Sequence, residues 1–87
     1  MSGGVPVSGT KTGITTTPVA LAPTQFCKSI GLQADPANAT DLLIGDETSQ
    51  TMQLAAGASL SIEVRDPSLI WVKSVSGTVI CNFILVV

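Results

Sequence analysis

Hydrophobic and polar residues alternate along most of this chain with a period of two, the spacing of a β-strand that buries one face. The clearest case is residues 59–65, where Leu60, Ile62 and Val64 share one face and the intervening residues are polar. Turn-forming residues interrupt this alternation at intervals of roughly ten residues, and no segment has the helical period. The pattern predicts an all-β fold, a small antiparallel β-sandwich or jelly roll of about seven strands.

Local signals place several elements within that fold. In residues 26–34, Phe26, Ile30 and Leu32 recur at period two, which predicts a half-buried strand with these side chains on its apolar face. Gly57 is expected to take a positive φ in the turn before residue 59. Ser76 and Gly77 predict a tight hairpin turn before the last strand.

The first thirteen residues differ from the rest of the chain in composition. Residues 1–13 are rich in Gly, Ser and Thr and carry little apolar surface, which predicts a flexible or extended N-terminal arm followed by a β-sandwich domain at residues 14–87. Two interpretations of the arm are open: a disordered terminus, or a strand-like arm that orders against a neighbouring subunit.

The last predicted strand, residues 78–87, is apolar on both faces. One face would pack in the sandwich core, and Ile80, Ile84 and Val86 on the other face would otherwise meet water. We expect a second copy of the chain to cover that face. The alternative is that the N-terminal arm or the loops between residues 35 and 50 fold over it within one subunit.

Composition excludes several classes of function. The 87 residues include no His, and only 11% are charged, with a net charge of −2. Ser-His-Asp and Cys-His nucleophilic sites and histidine metal sites are therefore impossible, and four scattered Lys and Arg residues cannot form a stripe that binds nucleic acid. The longest nearly apolar run is far shorter than the about twenty residues of a membrane-spanning helix. We expect no enzyme activity, cofactor, nucleic-acid partner or membrane partner, and synthesis in the cytosol, because the N-terminus does not resemble a secretion signal.

The remaining reactive residue types favour structural roles. Cys27 and Cys81 could form a disulfide or a redox pair, but each lies in a strand-like run, which favours buried free thiols. Asp41, Asp46 and Glu47 could supply oxygen ligands to a calcium ion, although their spacing lacks the calcium-loop pattern and favours a solvated loop. We expect no catalytic, cofactor-binding or metal-binding residues.

Trp71 is the only Trp of the chain. A single Trp in a strongly apolar strand is more typical of a core or interface anchor than of a ligand platform, because sugar-binding and peptide-binding modules usually expose several aromatic side chains.

The order of four segments resembles small β-sandwich structural proteins from the virions of tailed bacteriophages. These segments are CKSIGLQA at 27–34, LIGD at 43–46, LAAGASLSI at 54–62 and LIWVKSVSGTV at 69–79. The resemblance covers residues 14–87. This chain departs from the pattern in having Trp71 where Tyr is common and in having a more apolar last strand. The resemblance implies a virion component that is often homo-oligomeric, and it supplies no catalytic residues.

From this resemblance we expect a capsid decoration, or cement, protein. It would be made in the bacterial cytoplasm, assemble as a homotrimer, bind the major capsid protein on the outer surface of the head and stabilise the shell. The predicted oligomer interface consists of Ile80, Ile84, Val86 and Trp71. The predicted capsid contact consists of Val5, Pro6, Val7 and Lys11 in the arm. Two alternatives are a tail, collar or fibre-associated adaptor, and a carbohydrate-binding or host-surface-binding module.

Overall fold

A computed structural model describes residues 6–87, which fold as two four-stranded antiparallel sheets. The strands are β1 (Pro6–Ile14), β2 (Val19–Ala20), β3 (Ser29–Ala34), β4 (Leu42–Gly45), β5 (Gln50–Leu54), β6 (Ser59–Ile62), β7 (Trp71–Ser74) and β8 (Val79–Val86). A single turn of 3-10 helix, Pro67–Leu69, precedes β7. The predicted all-β class is confirmed for the part of the chain that the structure describes.

Each sheet is assembled from strands that are distant in sequence. The first sheet has the order β1-β8-β3-β6 and the second has the order β2-β7-β4-β5. Apart from the step from β4 to β5, every connection leads from one sheet to the other. The chain therefore passes repeatedly from one sheet to the other, and most strand pairs within a sheet join strands that are distant in sequence.

The two sheets bury their inner faces in one core. In β3 and β8, Ile30, Leu32 and Leu85 are buried at alternate positions, and β4 and β7 bury Ile44 and Val72 opposite them. Strand alternation then directs the intervening residues to the outer face of each sheet. The burial follows the period-two pattern of the sequence, including Val79, Cys81 and Leu85 on one side of the last strand.

Strand β1 occupies residues that composition assigns to an arm. It pairs with β8 of the same chain, with Pro6 opposite Val86 and Ile14 opposite Val79. The boundary expected after residue 13 therefore falls inside a strand. A bulge interrupts the pairing between Lys11 and Ile14, where Gly13 has a φ of 66°.

The prediction that Phe26 lies on the buried face with Ile30 and Leu32 is wrong. Phe26 is 62% exposed, whereas its neighbour Cys27 is buried. The cause is the path of the backbone, because the Cys27 N–H donates to the Arg65 carbonyl before β3 begins at Ser29. This local bonding breaks the alternation on which the prediction relied.

The positive φ predicted for Gly57 is confirmed, and a turn is present at Gly77, but it is not the predicted hairpin, because β7 and β8 belong to different sheets and do not pair with each other. Gly57 has a φ of 84° and Gly77 has a φ of 65°, a region that residues with a Cβ rarely adopt. The turn at Gly77 is reinforced by the Ser74 hydroxyl, which donates to the Gly77 carbonyl at 2.6 Å.

Candidate interaction surfaces

The predicted interface residues of β8 lie on the outer face of the first sheet. Ile84 is 43% exposed, while Ile80 and Val86 are half-buried. Asn82 lies between them on the same face and breaks the apolar row. On this face of β8, Ile84 is therefore the one hydrophobic side chain that is largely exposed.

Small residues surround Ile84. Ser8 of β1 and Gly31 of β3 are its direct partners on the two neighbouring strands, and a Cβ on Gly31 would lie 3.2 Å from Ile84 Cγ2. Ser61 of β6 is opposite Gly31. Ile84 therefore borders a shallow depression of about 350 Å³ in which hydroxyl and amide groups alternate with apolar groups.

A polar network borders this depression at Asn82. The Thr10 hydroxyl donates to Asn82 Oδ1 at 3.1 Å, and Asn82 Nδ2 donates to Gln33 Oε1 at 3.4 Å and to Asp35 Oδ2 at 3.3 Å. These bonds hold the Thr10 hydroxyl, the Gln33 amide and the Asp35 carboxylate in place around the Asn82 amide, on the strand that carries Ile84. Flat surfaces of this type suit protein contacts, in which a small apolar centre has a polar rim.

The predicted capsid-contact residues lie along β1. Pro6 is opposite Val86, on the same outer face as Ile84, whereas Val7 and Lys11 have the opposite strand parity and face the other side of the sheet. Val5 lies outside the described residues. Pro6 therefore lies on the same face of the sheet as Ile84 and Val86, whereas Val7 and Lys11 lie on the opposite face.

Trp71 lies in a different sheet from the β8 residues. It belongs to β7 in the second sheet, where Val72 and Ser74 are buried, so that Trp71 and Lys73 face outward. Its strand partners are Ala20 and Gly45. Trp71 therefore belongs to a different sheet from the other predicted interface residues, Ile80, Ile84 and Val86.

Both cysteines are buried and free, as the sequence predicts. The Cys27 thiol donates to the Val64 carbonyl at 3.1 Å, and burial, followed by the charge of Asp66, raises the pKa of that thiol. Burial raises the pKa of the Cys81 thiol to about 11. Neither thiol has the lowered pKa of a reactive cysteine.

Two acidic side chains, Asp46 and Asp66, have structural roles because they accept hydrogen bonds from the backbone of nearby turns. Asp46 Oδ1 accepts from the Thr48 hydroxyl at 2.9 Å and from the Ser49 and Thr48 N–H groups at 2.8 Å and 2.9 Å, and these bonds, that from the hydroxyl foremost, hold the pKa of its carboxyl below the ordinary value. Asp66 caps the 3-10 turn by accepting from the Ser68 N–H at 2.9 Å, and hydrogen bonding lowers its pKa also. Among residues 6–87, no three His, Cys, Asp or Glu side chains are grouped to hold a metal ion.

An apolar cleft that the sequence analysis did not identify opens between β5 and β6. It has a volume of about 470 Å³, and the side chains that line it include Ile44, Met52, Leu60, Ile62 and Leu69. Met52 is 59% exposed and Leu69 is 60% exposed, and both β5 and β6 are edge strands. The available signal was the run at residues 48–62, which contains no charged residue.

Within residues 6–87, no helix has the length and apolar character needed to cross a bilayer. Comparison of the sequence with protein-family models, with curated proteins and with solved structures finds no match in any of the three. Function is therefore inferred from the surfaces described above.

Proposed function

We propose that this chain is a structural protein of a bacteriophage virion, a small β-sandwich that decorates the outer surface of the capsid and stabilises the shell. The observation that carries the proposal is the outer face of the first sheet, where Ile84 stands among Ser8, Gly31 and Ser61. The order of sequence segments that resembles phage virion proteins supplies the particular partner, the major capsid protein.

The chemistry of this face supports attachment more than catalysis. It combines a sheet face, one exposed apolar side chain and a hydrogen-bonded network around Asn82 that includes the Asp35 carboxylate. The two buried thiols and the loop-bonding Asp46 and Asp66 are occupied in holding the fold. A non-enzymatic protein that acts through contact area is consistent with this arrangement.

The structure alters how the predicted surfaces are assigned. Pro6, from the predicted capsid contact, and Val86, from the predicted oligomer interface, are directly opposite each other in paired strands. One patch of this size holds one partner at a time, and we assign it to the capsid. Binding of many copies across joints between capsid subunits would then stabilise the shell through avidity.

The proposal is tested by co-sedimentation with heads that lack the protein. Purified wild-type protein is expected to sediment with the heads in a saturable manner, and Ile84→Asp is expected to lose that binding. Val75→Asp is the matched control, because Val75 is also an exposed aliphatic residue but lies after β7, away from this face. Absence of wild-type binding, or equal binding by Ile84→Asp, would overturn the assignment.

Two alternatives give different results in related experiments. A tail, collar or fibre-associated adaptor would bind tails and leave heads undecorated. A carbohydrate-binding module would bind glycans through the outward-facing Trp71, and Trp71→Ala would abolish that binding without affecting association with heads.

A further inference from the structure

The first seven residues of β1 are joined to the rest of the fold largely through backbone pairing. Residues 6–12 lie at the edge of the first sheet and pair only with β8. None of their side chains is fully buried, and the two that are apolar, Pro6 and Val7, are exposed. Segments with few buried apolar contacts open at the lowest free-energy cost. Residues 6–12 are therefore held less strongly than the strands of the core.

The attachment of the chain changes at Gly13. A bulge between Lys11 and Ile14 interrupts the pairing with β8, and Gly13 within it has a φ of 66°. Directly after it, Ile14 is fully buried, and the Thr15 carbonyl accepts from the Ser74 N–H at 2.8 Å. Gly13 therefore separates a weakly held segment from a firmly anchored one, which is the position of a hinge.

The inner side of this segment lies over a buried thiol. Lys11 and Cys81 are directly opposite each other in paired strands, so their side chains lie on the same side of the sheet. Lys11 is half-buried and Cys81 is fully buried, and the aliphatic part of a lysine can cover apolar surface while its charge stays in water. Removal of residues 6–12 would leave Cys81 on the outermost strand of the sheet.

We infer that residues 6–12 form a strap that undocks from β8 by rotation at Gly13 while the remainder of the sandwich stays folded. The closed strap covers the edge of β8 and Cys81, and the open strap exposes both. In the open state the first sheet retains β8, β3 and β6, and Ile14 remains buried in the core. The device is a local opening of one edge strand, distinct from global unfolding.

Opening of the strap also changes the face around Ile84. Pro6 and Ser8 lie opposite Val86 and Ile84, and both leave that face with the strap. The face is therefore complete only while the strap is closed, a consequence that rests on the proposed function. The strap itself does not rest on it: failure to bind heads would leave its opening unaffected, and a protein whose strap never opens could still bind heads.

The rate at which a thiol reagent labels Cys81 at pH 8 without denaturant, followed by mass spectrometry of its peptide, tests the inference. Gly13→Ala strains the closed hinge, because a φ of 66° is costly for a residue with a Cβ, although nothing lies within 4 Å of the added atom. It is expected to raise the labelling rate of Cys81 at least about fivefold. Gly57→Ala is the matched control, because Gly57 has a φ of 84° and equally open surroundings but lies in the turn between β5 and β6. It is expected to leave the rate unchanged.

A disulfide that closes the strap should change the rate in the other direction. Ser8 and Ile84 are directly opposite each other on the outer face, a spacing that a disulfide can bridge. Ser8→Cys combined with Ile84→Cys, once oxidised, is expected to slow the labelling of Cys81 at least about tenfold, because local opening is blocked. Gln33→Cys combined with Ser59→Cys is the matched control, because these residues are also opposite each other but join β3 to β6. It is expected to leave the rate unchanged.

Thermal unfolding of each variant checks that it is folded, and if Gly13→Ala does not fold, the two disulfide variants decide the test. Acceleration of Cys81 labelling by Gly57→Ala as large as that by Gly13→Ala would show that the thiol is reached through global unfolding. That result, no acceleration by Gly13→Ala, or a labelling rate that the strap disulfide does not lower relative to the control disulfide would each overturn the inference.

Discussion

Asn38 exchanges two hydrogen bonds with the backbone of Ile80. Asn38 Nδ2 donates to the Ile80 carbonyl at 2.9 Å, and the Ile80 N–H donates to Asn38 Oδ1 at 2.9 Å. The side chain of this loop residue thus forms, near the start of β8, the pair of backbone hydrogen bonds that a neighbouring strand would form. This contact explains why Ile80 is half-buried although Ile84 on the same strand is exposed.

Replacing Asn38 by Ala is expected to destabilise the fold. The Ile80 carbonyl would retain the Asp35 N–H as a donor at 3.1 Å, but the Ile80 N–H would lose its acceptor, at a cost of about 1–3 kcal/mol in the free energy of unfolding. Urea unfolding measures the change, with Thr51→Ala as an exposed control. An Asn38→Ala stability equal to that of the control would show that these bonds contribute nothing.

Three glycine substitutions are expected to rank by what the added Cβ would meet. At Gly45 the obstacle is backbone, including Gln50 Cα at 2.7 Å and the Ser49 carbonyl oxygen. At Gly9 it is the ring of Phe83, with Cζ at 2.6 Å, and at Gly31 it is Ile84 Cγ2 at 3.2 Å.

Because a side chain can rotate and a paired backbone cannot, Gly45→Ala should reduce the unfolding midpoint in urea most. Gly9→Ala should follow, and Gly31→Ala should change it least. A midpoint for Gly45→Ala above that of Gly31→Ala would contradict the close approach of β4 to the turn before β5.

Both thiols are expected to react slowly in the folded protein. Cys27 and Cys81 are fully buried, and the pKa of Cys81 is raised to about 11, so little thiolate is present near pH 8. A colorimetric thiol reagent at pH 8 should label neither cysteine rapidly without denaturant and both in concentrated urea. Rapid labelling of either residue in the native state would show that its strand opens to solvent.

Stability is expected to fall in acid, in part through Asp46. Hydrogen bonds from Thr48 and Ser49 hold the pKa of its carboxyl below the ordinary value in the folded chain. The folded state therefore binds the proton less readily than the unfolded state, and the stabilisation is present above about pH 4 and is lost as the pH falls through the lowered pKa.

Asp46→Asn should make the decline in stability below about pH 4 shallower than in the wild type, because the titrating group is removed. Urea unfolding from pH 2 to pH 7 measures this, with Thr51→Ala as the control that retains the wild-type slope. A slope for Asp46→Asn as steep as that of the wild type would place the acid sensitivity elsewhere.

The sequence predicts the elements in which side chains alternate, because that alternation records burial directly. Leu60, Ile62 and Val64, and the buried row of β8, follow the pattern. It does not predict β1, where Ser8, Gly9 and Thr10 pair through their backbone with almost no apolar side chains to signal it. The exposure of Phe26 could not be predicted from the alternation either, because the hydrogen bond responsible joins Cys27 to Arg65, which is distant in sequence.

The same limit applies to the surfaces. Ile84 could be identified from the apolar outer face of its strand, but its separation from Trp71 depends on the sheet to which each strand belongs. The cleft at Met52 could not be predicted without knowing that β5 and β6 are edge strands of their sheets. Strand order is set by long-range pairing, which local periodicity does not encode.

Electron microscopy of virions purified from an infected culture, with gold-labelled antibody against this chain, tests the central claim most directly. The proposal predicts many copies distributed over the outer surface of the head, and loss of label when the coding sequence is deleted. Label confined to the tail or collar, or virions that lack the protein altogether, would contradict the assignment as a capsid decoration protein.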